Sequence, residues 1–167
     1  MKNLEFMIRP AALEDAEKIY GLLNEVGAEN TYFLLEPDER TVEQIKGLVH
    51  QQTLNRSLLL VAENNGIIVG VLGFIGGRFR KIAHVIEIGL AIGKDFRKSG
   101  IGSTLFREAI TWARKKGFHR LELGVLSTNQ QAILLYKKFG FQEEGVRKNR
   151  YRIEETWVDE ILMSKLL

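Results

Sequence analysis

A chain of 167 residues, 45% hydrophobic and 27% charged, is long enough to bury one sizeable core and carries the polar surface of an ordinary globular domain. The absence of cysteine rules out disulfides, thiolate zinc sites and a cysteine nucleophile in one step. A net charge of +3 without a block of like charges leaves little footprint for nucleic acid, and the longest apolar run, near Ile67 to Gly77, is shorter than the roughly 18 residues a membrane span needs.

The first residues lack the apolar h-region of a signal peptide, so a cytoplasmic protein is expected. A first strand ends at Pro10, and Ala16, Ile19, Tyr20, Leu23 and Val26 then recur at the spacing of an amphipathic helix that Gly27 closes. The segment 28–40 is polar and acidic, with Glu29, Glu36 and Asp38, and is a candidate acceptor-binding lid or a plain connection. Thr41 and Gln44 form a capping box for a second helix through Val42, Ile45 and Val49. Two β-rich runs follow, Leu58 to Glu63 and Ile67 to Ile75, joined by Asn64-Asn65-Gly66, the chemistry of a hairpin turn.

Ala83 to Ile92 reads as a long strand apolar on both faces, as at the centre of a covered sheet. A third helix carries Leu105, Ala109 and Trp112 on its buried stripe, Arg120 to Val125 is a short strand, and a fourth helix carries Ala132, Leu135, Tyr136 and Phe139. Phe141 to Ile153 and Glu155 to Leu166 close the chain as two more strands. The predicted order is β-αα-βββ-α-β-α-ββ, one α/β domain over residues 1–167 with a mixed sheet and a central parallel strand pair from the right-handed βαβ unit.

Chemistry concentrates where the long strand turns into the third helix. Arg97, Lys98, Gly100, Ile101, Gly102, Ser103 and Thr104 surround a helix start, where unpaired N–H groups, the positive dipole end and two cations favour an anion. Three phosphate-binding patterns compete. The P-loop needs a lysine after its second glycine, and the dinucleotide fingerprint needs a third glycine where this chain has Leu105. The pattern left is Arg97-x-x-Gly100-x-Gly102, which also fits a helix start without any ligand. Downstream, Asn129, Ala132, Leu135-Tyr136 and Gly140-Phe141 form a second constellation, with Asn129 and Tyr136 on one helical face about two turns apart.

Together, in this register, the two motifs resemble those of the GNAT superfamily of N-acetyltransferases, and Ile8-Arg9-Pro10-Ala11 with Asp15-Ala16 resembles the family's opening strand and helix. The resemblance implies a GNAT-like domain that uses acetyl-CoA as co-substrate. It implies that the backbone of Leu90, Ala91 and Ile92 pairs with the pantetheine arm and that Arg97 and the loop from Lys98 to Ser103 hold the pyrophosphate. Asn129 would contact the same molecule, and the Tyr136 hydroxyl would lie near the thioester sulfur as the general acid. A backbone N–H near Leu90 suits a developing oxyanion.

With no cysteine and no serine–histidine pairing, the amine is expected to attack the thioester directly. Glu87, on the face of the long strand shared by Gly89 and Ala91, is the candidate base, its other reading being a paired or solvated carboxylate. Some family members carry a base at the place of Gly124, and Glu122 is the nearest substitute here. The expected acceptor is a small-molecule or peptide amine, for which Glu25, Glu29, Glu36 and Asp38 would suit a cation. The rival function is a non-catalytic acyl-CoA-binding sensor. No metal site is expected, because His50, His84 and His119 lack ligand spacing. Arg147, Lys148, Arg150 and Arg152 alternate with Asn149 and Tyr151 as a solvated sheet face, so no nucleic-acid or membrane partner is expected, and the exposed edge of the terminal hairpin allows a homodimer.

Overall fold

The computed structural model describes residues 5–29, 31, 33–52, 57–77 and 79–167. The strands are β1 (Met7–Pro10), β2 (Ser57–Asn64), β3 (Ile67–Gly76), β4 (Val85–Ile92), β5 (Arg120–Leu126), β6 (Gln142–Ile153) and β7 (Thr156–Leu166). The helices are α1 (Ala16–Gly27), α2 (Val42–Gln51), α3 (Ile101–Lys115) and α4 (Gln130–Lys138). The predicted element order is the observed one. β4 starts later than expected because Arg80–Ile82 winds into a 3-10 turn, with Ala83 N–H bonded to the Arg80 carbonyl.

Local chemistry fixes the boundaries. Thr41 Oγ1 accepts the Gln44 N–H at 3.2 Å while Gln44 Oε1 accepts the Thr41 N–H at 2.9 Å, the reciprocal cap predicted for α2. Asn65 and Gly66 both take positive φ, 49° and 79°, the geometry that matches a two-residue hairpin turn to strand twist. Ahead of α1, Arg9 donates to Asp15 Oδ2 at 2.6 Å and to Glu63 Oε2 at 2.7 Å, tying β1 to β2 and to the helix entrance. Asp15 is buried and also accepts the Ala12 N–H; the Arg9 guanidinium holds its carboxyl below the usual carboxylate range.

The sheet order is β1-β2-β3-β4-β5-β7-β6, antiparallel throughout except for β4 beside β5. Helices cover both faces. Leu105, Phe106 and Ala109 of α3 pack with Ile133 and Tyr136 of α4 onto Leu72, Phe74 and Ile86, while Ile19, Leu22 and Ile45 of α1 and α2 pack onto Leu59, Val61 and Val71. This two-sided cover explains the unbroken apolar run of β4, whose Ile86 and Ile88 face α3 and whose Ala91 faces α1.

One irregularity decides where a ligand can enter. β4 and β5 pair only from Val85/Arg120 to Glu87/Glu122, whereas β4 continues beside β3 to Ile92 and β5 continues beside β7 to Leu126. The sheet therefore splits between its two parallel strands. At the far edge, the basic residues of β6 meet acids of the same hairpin: Arg147 bonds Glu160, Lys148 bonds Asp159, and Arg152 bonds Glu155. Among the described residues no helix is long and apolar enough to cross a membrane.

Candidate active site

The split opens into a cavity of about 670 Å³ that runs from the start of α3 to the face covered by α1 and α2. That volume is in the range of small-molecule sites. Glu87, Leu90, Ala91, Ile92, Arg97, Lys98, Gly100, Gly102, Ser103, Asn129 and Tyr136 all line it; of the residues expected at the head of α3, Ile101 and Thr104 do not. Ile101 is fully buried, and its side chain fills the space above Gly70.

Backbone direction along β4 separates the three strand residues. Val85 accepts a hydrogen bond from Gly77 N–H and Gly93 donates one to Val69, both toward β3, so by antiparallel alternation Gly89 and Ala91 also spend their backbone groups on β3. Leu90 and Ile92 then direct theirs into the split. The Ile92 carbonyl is occupied by Arg97 Nε at 3.0 Å, which leaves the Leu90 N–H and carbonyl and the Ile92 N–H facing the cavity. Ala91 accordingly contributes its side chain, and the expected three-residue edge reduces to Leu90 and Ile92.

At the head of α3 the first intrahelical bond is Thr104 N–H to the Gly100 carbonyl at 3.0 Å, so the amides of Ile101, Gly102 and Ser103 have no partner within the helix. The two glycines serve different ends. Gly100 holds φ 91°, and a Cβ there would meet nothing within 4 Å, so its requirement is conformational. At Gly102 a Cβ would come within 3.1 Å of Ile92 Cδ1 and 3.2 Å of Leu135 Cδ2, so this glycine lets α3 dock against β4 and α4. The Arg97 guanidinium is committed elsewhere: Nη1 donates to Glu29 Oε2 at 2.8 Å and Nη2 to Glu29 Oε1. Arg97 thus clasps the segment after α1 to the loop before α3, and an anion here would be met by main-chain amides and Lys98.

Tyr136 is 7% exposed, and its ring packs on Phe106 at 5.5 Å and on Phe141 at 6.0 Å between centroids. Burial alone pushes its hydroxyl up to about 12, so it stays protonated throughout the physiological range. Phe106, which also stacks on Phe139 at 5.4 Å, packs against the tyrosine; it lies one residue beyond Leu105 and was not among the residues placed on the buried stripe from the sequence. Asn129 caps α4, its Oδ1 accepting the Ala132 N–H at 3.1 Å, and still borders the cavity.

The acceptor side departs from expectation. Glu25, Glu29, Glu36 and Asp38 do not line the cavity: Glu29 holds Arg97, and Asp38 bonds Tyr20 and Asn24. From that segment the wall is instead Phe33, Leu34, Leu35 and Arg40. Glu122 is turned to Arg120 at 3.1 Å and lies outside the cavity, so it does not replace the side chain missing at Gly124. Glu87 does reach the cavity, exposed, on the face of β4 that carries Gly89. His84 and His119, distant in sequence, stand 6.1 Å apart between ring centroids; among the described residues no group of three metal-ligating side chains is found.

A mixed sheet split at its parallel pair, with main-chain amides at a helix head on one side and a protonated tyrosine on the other, defines an acyl-transfer fold. The model of the acetyltransferase (GNAT) family matches residues 21–141, and the chain belongs to that family. An acetyltransferase of the GNAT family from Streptococcus pneumoniae superposes with a TM-score of 0.91 at 34% identity, covering 98% of this chain and 99% of that one. The L-amino acid N-acetyltransferase AaaT of Escherichia coli K12 is 32% identical over 111 residues, 64% of this chain and 67% of that protein. The ribosomal protein bS18-alanine N-acetyltransferase of the same organism is 33% identical over 75 residues, 45% of this chain and 51% of that protein. The matches span between 32% and 67% of the length of four curated relatives, these two among them.

Proposed function

We propose that this protein transfers the acetyl group of acetyl-CoA directly to a primary amine. The observation that carries the reading is the split itself: Leu90, the head of α3 at Gly100, Gly102 and Ser103, and Tyr136 come from three separate elements and border one cavity. An amide-containing arm finds the strand-like edge it can pair with at Leu90 and Ile92. Phosphates find the amides at the head of α3, with Lys98 beside them. These residues fit acetyl-CoA as substrate.

In the reaction the amine nitrogen forms a bond to the thioester carbonyl carbon, the carbon–sulfur bond breaks, and the amine loses a proton while the sulfur gains one. Tyr136, held protonated by burial, supplies the proton to sulfur. Glu87 takes the proton from the amine, directly or through water, and the Leu90 N–H stabilises charge on the carbonyl oxygen. Relatives acting on L-amino acids and on a ribosomal protein's alanine set the first acceptors to try: L-amino acids, a peptide with an N-terminal alanine, and spermidine as an unrelated amine.

Thiol release from acetyl-CoA across that panel tests the reading. The wild type is expected to turn over at least one amine, and Tyr136→Phe to lower kcat about 100-fold or more with the affinity for CoA unchanged. Tight CoA binding without turnover of any amine would replace the enzyme with a binding module.

A further inference from the structure

A second carboxylate stands where neither sequence motif directs attention. Glu160 of β7 is 6% exposed and lines the cavity. It pairs with Leu126 across β5 and β7, and its carboxylate leans back along β5 over Gly124. A Cβ on Gly124 would collide with Glu160 Oε1 and come within 2.8 Å of its Cδ, so the missing side chain is what admits the carboxylate. Two groups of β6 hold it from behind: the Tyr151 hydroxyl donates to Oε1 at 2.6 Å, and Arg147 Nη1 donates to Oε2 at 2.9 Å, with Arg150 Nε 3.9 Å from the same oxygen.

Register puts this group opposite Glu87. Glu87 pairs with Glu122, and Gly124 follows Glu122 on the same face, so Glu87, Gly89, Gly124 and the Glu160 carboxylate all look out on the α1 and α2 side. Gly73 and Gly89 are paired neighbours across β3 and β4. Between the carboxylates the exposed floor includes Gly89 on β4 and Gly124 on β5, neither of which carries a side chain, and Gly73 extends it on the β3 side. From strand spacing and rise, the α-carbons of residues 87 and 124 lie at least roughly 8 Å apart, because the two strands part beyond Glu87 and Glu122.

We propose that Glu160 is the anionic wall of the acceptor pocket: with Glu87 opposite, it holds the acceptor as an ammonium ion above Gly89 and Gly124. Tyr151 and Arg147 are positioning residues that hold the carboxylate there. This rests on the acetyltransfer reading and narrows it. The acceptor class becomes aliphatic primary amines that arrive protonated, whereas arylamines, neutral at the same pH, gain nothing from Glu160.

The test uses the acceptor with the fastest thiol release in the panel and, as a competitive inhibitor, its isostere with hydroxyl in place of the amine. Glu160→Gln is expected to raise the amine KM at least about tenfold, the scale of a lost hydrogen bond to a charged group, while the inhibition constant of the alcohol and the affinity for CoA stay within about threefold. Gly124→Ala, which leaves Glu160 in the chain but displaces its carboxylate, is expected to act the same way. Tyr151→Phe is expected to give a smaller rise, and these two variants carry the test if Glu160→Gln does not fold.

Equal weakening of amine and alcohol would reduce Glu160 to a structural ion-pair partner and overturn the proposal, as would an unchanged amine KM. A wild type that turns over no amine would instead remove the acetyltransfer reading, and this proposal with it.

Discussion

The sharpest test of the phosphate-binding geometry is Gly100→Val. Gly100 sits at φ 91° and ψ −9°, in the left-handed region, at the N-cap of α3, and a Cβ there meets no atom within 4 Å. The cost to folding is thus conformational rather than steric: about 1–2 kcal/mol for an L-residue in this region, with the upper end for a β-branched one. For a chain of this size each kcal/mol lowers Tm by about 2–4 °C, so a fall of about 2–8 °C is expected in a calorimetric melt. Gly100 lines the cavity, so the isopropyl group is expected to crowd the place where a phosphate would meet the α3 amides. Loss of those contacts should weaken CoA binding by titration calorimetry at least about 100-fold, or 2.7 kcal/mol. Retention of affinity within threefold, alongside the expected fall in Tm, would show that the diphosphate is not held at the head of α3.

Arg97→Ala separates the two parts of the same loop. Because the guanidinium is bound to Glu29 and to the Ile92 carbonyl, its removal should lower CoA affinity by less than about tenfold and loosen the segment after α1, read as faster amide exchange at residues 28–29. A loss as large as that of Gly100→Val would mean that the arginine leaves Glu29 to bind phosphate. Asp15→Asn tests the scaffold: replacing a buried carboxylate paired with a partly exposed Arg9 should cost about 3 kcal/mol, the low end for such pairs. The Asp15 pKa is lowered in the fold, so this stability is present above its ordinary value near 3.8 and is lost as pH falls below that. The gap in denaturant midpoint between wild type and Asp15→Asn should therefore be full at pH 7 and shrink on acidification below about 4; a gap constant down to pH 2 would refute the assignment.

Features carried by local chemistry could be read from the chain. Caps at Thr41 and Asn129, the turn at Asn65-Gly66 and the helical spacing of Ile19, Leu105 and Tyr136 each need only a few neighbouring residues, and they gave the element order and both motifs. What was not legible depends on pairing between distant strands. Where β4 parts from β5 is set by how far each strand prefers its other neighbour, which no window of sequence contains. The Arg97–Glu29 clasp joins residues 68 apart and pairs an expected phosphate ligand with an expected acceptor ligand. Glu160 was invisible for the same reason: in sequence it is one polar residue in an alternating strand, and only the β5–β7 register lays it over Gly124. Gly124, where the resemblance led a base to be looked for, was the available signal, and it pointed to Glu122, because same-strand proximity was all that the sequence offered.

The geometry of β4 explains how one strand can serve two substrates. Successive residues of a strand alternate both in side-chain face and in the edge to which the backbone groups point. On β4 these alternations are locked together: Leu90 and Ile92 turn their side chains to α3 and their amides to the split, while Glu87 and Gly89 turn their amides to β3 and their side chains, or lack of one, to the α1 and α2 face. Under the proposed function the donor would meet main chain at the edge and the acceptor a carboxylate on the face. Neither group need move for the other to bind. Inserting a residue into β4 between Glu87 and Leu90 would reverse one set relative to the other, which is why the spacing between the carboxylate and the amides is a stricter requirement than the identity of the apolar side chains between them.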